Sequence, residues 1–124
     1  MLNYNRSFAS FSVNDLKKAK NFYQQTLGLE TNETPEGLDI RTSDNMAIFL
    51  YSKENHEPAT FTVFNFKVSN IEEAVDKLTA SGVSFLQYKG ELQTDKKGIM
   101  RGNGPTIAWF TDPAGNILSV IEAN

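Results

Sequence analysis

The chain has 124 residues, no cysteine and a formal net charge of −3. That length suits one domain with a real apolar core, while the missing cysteine excludes a disulfide framework, a thiolate metal site and a cysteine nucleophile. The mild acidity argues against nucleic acid, which needs a concentrated basic face, and no apolar run reaches the roughly 18 residues of a membrane span. Residues 11–13 (Phe-Ser-Val) alternate apolar and polar and read as a strand that runs into a helix with the stripe Leu16, Ala19, Tyr23 and Leu27. Asn14 or Asp15 can cap this helix, and Gly28 stands where a left-handed C-terminal residue is expected. Three further strands are predicted at 29–34, 38–42 and 46–52, with residues 35–37 and 43–45 as turns. The polar stretch 53–58 reads as a connector, and His56 within it as a solvated surface residue.

The pattern then repeats. Phe11-Ser-Val-Asn-Asp-Leu-Lys-Lys-Ala19 aligns with Phe66-Lys-Val-Ser-Asn-Ile-Glu-Glu-Ala74 at an offset of 55. Phe64, Phe66 and Val68 share one strand face, and Ser69 with Glu72 forms a capping box before the stripe Ile71, Ala74, Val75 and Leu78. Gly82 answers Gly28. Strands are predicted at 83–87, 105–111 and 116–122, and Asp112-Pro-Ala-Gly115 reads as a type I turn. The charged, glycine-bearing stretch 88–104 reads as a long loop able to serve as a lid. The expected organisation is a single domain over 1–124: module one at 5–52, a connector at 53–58 and module two at 59–124.

The residues Val13-Asn-Asp-Leu-Lys-Lys-Ala-Lys-Asn-Phe-Tyr23, followed by Leu27-Gly28-Leu29, resemble the opening signature of the vicinal oxygen chelate superfamily of glyoxalases, bleomycin-resistance proteins and extradiol dioxygenases. Asp112-Pro-Ala-Gly-Asn-Ile117 resembles its closing signature, so the likeness runs from about Phe8 to Glu122. It implies an α+β fold in which two tandem βαβββ modules form a curved, partly open mixed β-barrel around a ligand cavity, with the helices outside, in a homodimer. It also implies, for enzymatic members, a divalent ion held by His, Glu or Gln and acting as a Lewis acid. Carried over residue by residue, the ligand positions fall on Phe8, Phe49, Val63 and Ser119. Three of these cannot bind a metal and the fourth is a poor ligand, so no metal and no other cofactor is expected.

The resemblance implies that the ligand positions face the cavity, and alternation from them then puts Phe8, Ser10 and Ser12 on the cavity side of the first strand, and Val63, Asn65 and Lys67 on that of its counterpart. Phe49, Tyr51, Ile107, Trp109, Ile117, Ser119 and Ile121 join them from later strands, with Asp39 and Arg41 on the same face. The expected ligand-binding set is therefore Phe8, Ser10, Arg41, Phe49, Tyr51, Val63, Asn65, Lys67, Trp109 and Ser119. This is an apolar, aromatic lining with a few polar groups, the ordinary make-up of a small-molecule site. The bland alternative is that the apolar members fill the former metal space as core, while Arg41 and Lys67 reach solvent or pair with Asp39.

No nucleophile elbow and no phosphate loop occur. The leading expectation is a metal-independent protein that binds a small, partly aromatic or amphipathic molecule in the inter-module cavity. The alternative is a metal-dependent glyoxalase-like lyase or dioxygenase with relocated ligands drawn from Glu122, Asp39 or His56. The first residues, Met-Leu-Asn-Tyr-Asn-Arg, lack the apolar segment of a secretory signal, so a cytoplasmic address is expected.

Overall fold

The structure, a computed structural model, describes residues 1–102 and 104–123. The chain divides into two compact units, Met1–Glu57 and Pro58–Asn124. In the first, β1 (Ala9–Val13) leads into α1 (Leu16–Asn21), followed by β2 (Glu30–Thr34), β3 (Gly37–Arg41) and β4 (Ala47–Ser52). In the second, β5 (Thr62–Val68) leads into α2 (Ile71–Ala80), followed by β6 (Ile99–Met100), β7 (Ile107–Thr111) and β8 (Ile117–Glu122).

Each unit holds one unclosed four-stranded mixed sheet, in the order β1-β4-β3-β2 and β5-β8-β7-β6. The first strand of each unit pairs parallel with the last, and the remaining pairs are antiparallel. The repeated βαβββ unit and its α+β class are thus as expected. Val13 and Phe64, expected on the packed strand faces, are buried, and the core is completed by Leu38, Ile40, Ile48 and Leu50 in unit one and by Ala108, Phe110, Leu118 and Val120 in unit two.

The helix ends differ from expectation in two places, the C-terminal end of α1 and the cap of α2. Asp15 caps α1 by accepting from the Lys18 amide at 3.1 Å. The helix then widens into a π-helical turn at Phe22–Thr26, where the Leu27 amide reaches back to the Phe22 carbonyl. Tyr23 is wholly buried there and meets Phe11 and Phe22 edge-on or tilted. The cap of α2 is Asn70, which accepts from the Glu73 amide at 3.1 Å, one residue later than the expected Ser69–Glu72 box. The reason lies in the same short side-chain chemistry at both positions: Asn70 is a cap as good as Ser69, and Glu72 is engaged elsewhere by Arg101. Glu122 caps the same helix from β8, its carboxylate accepting from the Ile71 amide at 2.9 Å.

The largest correction concerns 83–104. Residues 83–87 form no strand; Phe85 makes a single bridge to Phe110, and the Leu86 amide donates to the Trp109 carbonyl. The edge strand is instead β6, which pairs Ile99 with Ala108 and Met100 with Ile107. Both segments serve the same edge of β7, and residues 88–98 are an excursion between them. A lid spanning all of 88–104 is therefore ruled out, because Ile99 and Met100 are core residues.

The excursion is fastened to α2. Lys97 pairs with Asp76 at 3.0 Å and Arg101 with Glu72 at 2.7 Å, one helical turn apart. Arg101 also pairs with Asp95, which accepts from the Ile99 and Lys97 amides. Burial pushes the Asp95 carboxyl up, but the Ile99 amide, the Arg101 guanidinium and the Lys97 amide outweigh it and hold the group below its ordinary value of 3.8. A depressed carboxyl contributes stability above its unfolded pKa and loses it as pH falls through the folded value. Amide-exchange protection at Lys97 and Ile99 should thus be intact at neutral pH and decline below pH 3.8. Unchanged protection there down to pH 2 would dissociate Asp95 from the fastening.

Candidate functional site

In unit one the side chains facing away from the buried face form an open surface. Register sets Phe49 at its centre, between Ser10 on β1 and Asp39 on β3. Tyr51 stands opposite Ser12, and Arg41 opposite Ala47 on one side and Glu30 on the other. The Phe8 ring meets Phe49 edge-on at 6.4 Å, and Tyr51 lies nearly parallel to Phe49 at 6.5 Å. Phe8 is 67% exposed, a high value for a phenylalanine.

This surface holds a half-open cavity of about 580 Å³ bounded by Arg6, Phe8, Glu30, Asp39, Arg41 and Phe49. The volume lies within the ordinary range for a small-molecule site. Five of the expected site residues (Phe8, Ser10, Arg41, Phe49 and Tyr51) thus share one face. Asp39 forms no ion pair with Arg41 among the described residues, so the bland pairing is not made.

Sequence reasoning missed Arg6, Glu30 and Asn32, which line the same cavity. The signal was available, because Arg6 has the parity of Phe8 and Ser10, and Glu30 and Asn32 alternate on β2. His56 corrects another expectation. It is half-buried, with Nδ1 2.7 Å from the Ser12 hydroxyl. The short connector turns back on itself, the Lys53 amide donating to Val13 and the His56 amide to Lys53, and that turn brings the ring beside β1.

The other five expected residues lie in unit two. Asn65 pairs with Ser119, which in turn pairs with Trp109 across β7. The Ser119 hydroxyl, 0% exposed, donates to Asn65 Oδ1 at 2.5 Å. Trp109 is half-buried and receives the Tyr88 ring edge-on at 5.4 Å. Lys67 is exposed and has no ion pair among the described residues. Val63 does not follow the expected alternation. The ladder slips between Thr62 and Phe64, which pair with the consecutive residues Ile117 and Leu118. Val63 is the extra residue of that bulge.

The donor chemistry at the family's ligand positions can be tested directly. Phe8 and Phe49 are packed against each other, Val63 sits in a bulge, and the Ser119 hydroxyl is committed to Asn65. No group of three or more His, Cys, Asp or Glu placed to hold a metal ion occurs among the described residues. Divalent ions in such sites need hard or borderline donors such as imidazole and carboxylate. These residues do not fit the group. Of the residues considered for relocated ligands, Glu122 caps α2 and His56 bonds Ser12.

Two βαβββ units, each with an unclosed mixed sheet and one helix, define an α+β protein of tandem modules. The chain belongs to the Glyoxalase/Bleomycin resistance protein/Dioxygenase superfamily, whose family model matches residues 7–120. It is 27% identical over 120 residues to a lactoylglutathione lyase from Salmonella typhimurium, covering 90% of this chain and 87% of that protein. Its fold is similar to a fosfomycin resistance protein from Listeria monocytogenes, with a TM-score of 0.72 at 15% identity over 99% and 96% of the two chains. It is likewise similar to an antibiotic binding protein from Streptomyces, with a TM-score of 0.67 at 18% identity over 99% and 100%. No helix of the described residues is long and apolar enough to cross a membrane.

Proposed function

We propose that this protein binds a small, partly aromatic ligand without a metal ion, in the groove on the open face of the first sheet. The observation that carries this reading is the groove itself: exposed Phe8 and half-buried Phe49 beside Arg41 and Asp39, in a cavity of about 580 Å³. Aromatic walls supply area and stacking, and the charged groups supply orientation. The antibiotic binding protein among its structural relatives supports a sequestering role on the same fold. The reading includes a homodimer and a cytoplasmic address. It assigns no catalytic residue.

A second reading is favoured by one observation, the 27% identity to a lactoylglutathione lyase. That reading requires a metal-dependent lyase or dioxygenase with ligands at other positions. Elemental analysis of the purified protein, with a chelator-treated control, separates the two. The binding reading expects no stoichiometric metal, and a melting temperature unmoved by zinc, nickel or manganese at modest excess. A native-state metal site filled to a hundredfold over its Kd would stabilise by about 2.7 kcal/mol. A clear upward shift with stoichiometric metal would overturn the binding reading in favour of the lyase.

A further inference from the structure

Resting on the groove as the ligand site, we infer that its Arg41 end is an oxyanion subsite built by Arg6, Arg41 and Asn45. A second cavity of about 590 Å³ adjoins the first and shares Arg6, Phe8 and Arg41 with it. Both arginines line both cavities, but Phe49, Glu30 and Asp39 line only the first, and Asn45 only the second, which has no Asp or Glu. An aromatic group against Phe49 and an anionic group between the arginines and Asn45 would therefore occupy adjoining places.

Arg41 is held toward this end. Its Nη1 donates to Asn45 Oδ1 at 2.9 Å. Glu30 stands directly across from it in the β2–β3 register, yet no ion pair joins them among the described residues. Arg6 has no ion pair among them either. The planar guanidinium offers a fork that matches a carboxylate or phosphate oxygen pair.

The repeat explains why Asn45 is an asparagine. The β3–β4 turn closes with the Thr42 amide donating to Met46 and the Asn45 amide to Thr42. The β7–β8 turn closes identically, with Asp112 to Asn116 and Gly115 to Asp112. Asn45 has φ 70 and its counterpart Gly115 has φ 84. Glycine takes that left-handed position without a Cβ penalty, and asparagine tolerates it. The residue equivalent to Arg41 in the second turn is Thr111. Arginine and asparagine thus occur together in one module, and threonine and glycine in the other. Asn45 is a positioning residue for Arg41.

The test is a titration of the full chain with phenylphosphonate, inorganic phosphate and benzyl alcohol, followed by calorimetry and by amide shifts of residues 6–10 and 39–49. Phenylphosphonate should bind most tightly, and its affinity should fall with added salt. Arg6→Gln and Arg41→Gln should each weaken it about tenfold, and the pair together more. Asn45→Gly preserves the turn, so it should weaken phenylphosphonate while leaving the melting temperature and benzyl alcohol binding unchanged. If benzyl alcohol binds as well as phenylphosphonate, or if the double arginine variant keeps full affinity, the subsite is refuted and the groove stands. Binding of phosphate alone through Arg6 and Arg41, without benzyl alcohol, would support the subsite and refute the aromatic groove. Binding of none of the three would refute both.

Discussion

Gly37→Ala is expected to destabilise the protein by about 3 kcal/mol, an overpacking cost at the upper end of the usual range. A Cβ at Gly37 would lie 2.2 Å from the Leu50 carbonyl oxygen and 2.8 Å from Cζ of Phe49. The ring could swing aside, but the carbonyl belongs to β4 and cannot yield without parting Leu38 from Leu50 in the ladder. Gly37 also closes the hairpin opposite Thr34, whose hydroxyl accepts from the Gly37 amide at 3.1 Å. The glycine is thus needed for close approach of two backbones. At about 4 °C per kcal/mol, the melting temperature should drop by roughly 12 °C. Exposed Glu36, in the same turn, is the control: Glu36→Ala should stay within about 0.5 kcal/mol. Because the Phe49 ring rests over Gly37, the alanine variant should also lose ligand binding in the groove beyond what its lower stability explains. Urea denaturation and a titration at a temperature where both proteins are folded would measure the two effects separately. A Gly37→Ala protein as stable as the parent would mean that β4 relaxes without cost, and that the groove is not set by this contact.

The parts of the fold legible from sequence were those where burial of one face imposes a period. Val13, Phe64 and the two helix stripes announced themselves because one apolar side must leave water on each strand or helix. The same alternation brought Ser10, Phe49, Tyr51 and Arg41 to one face correctly. What was not legible depended on partners distant in the chain. Ile99 and Met100 are two apolar residues in a stretch of glycine and charge, too short to carry a period; only the edge left open on β7 makes them a strand. Val63 followed alternation until the β5–β8 ladder slipped beside it, and nothing local in Thr-Val-Phe marks a bulge. His56 was judged by its polar neighbours, although the turn through Lys53 brings it to Ser12. Gly37 was taken for a turn residue, the usual use of glycine, and its approach to Leu50 is a tertiary fact. The candidate site was therefore half visible: its central strands followed from periodicity, as Arg6 and Glu30 on its rim could have, whereas Asn45 depends on the β3–β4 turn.

The Asp112-Pro-Ala-Gly turn illustrates the same division and carries the second large effect. Its turn, closed by the Gly115 amide on the Asp112 carbonyl, was readable, but the weight borne by Asp112 was not. Asp112 is 4% exposed and Asn116 is 2% exposed. Asp112 Oδ1 accepts from the Ala114 and Asn116 amides, both at 2.9 Å, and Oδ2 accepts from the Asn116 side-chain amide at 3.1 Å. Asp112→Ala removes these acceptors and leaves donors in a place that water reaches poorly. Such a loss costs the desolvation of each abandoned group rather than the small net value of a hydrogen bond. The expected destabilisation is about 3 kcal/mol, read from urea melts. Asp112→Asn should cost less, since its carbonyl oxygen can still accept the two backbone amides while its NH₂ meets that of Asn116. Asn116→Ala removes the side-chain donor but keeps its backbone amide bond, so the double variant with Asp112→Ala should be less destabilised than the sum of the singles. Strict additivity, or an Asp112→Ala protein within about 0.5 kcal/mol of the parent, would show that the turn is held by its backbone bonds and its glycine alone.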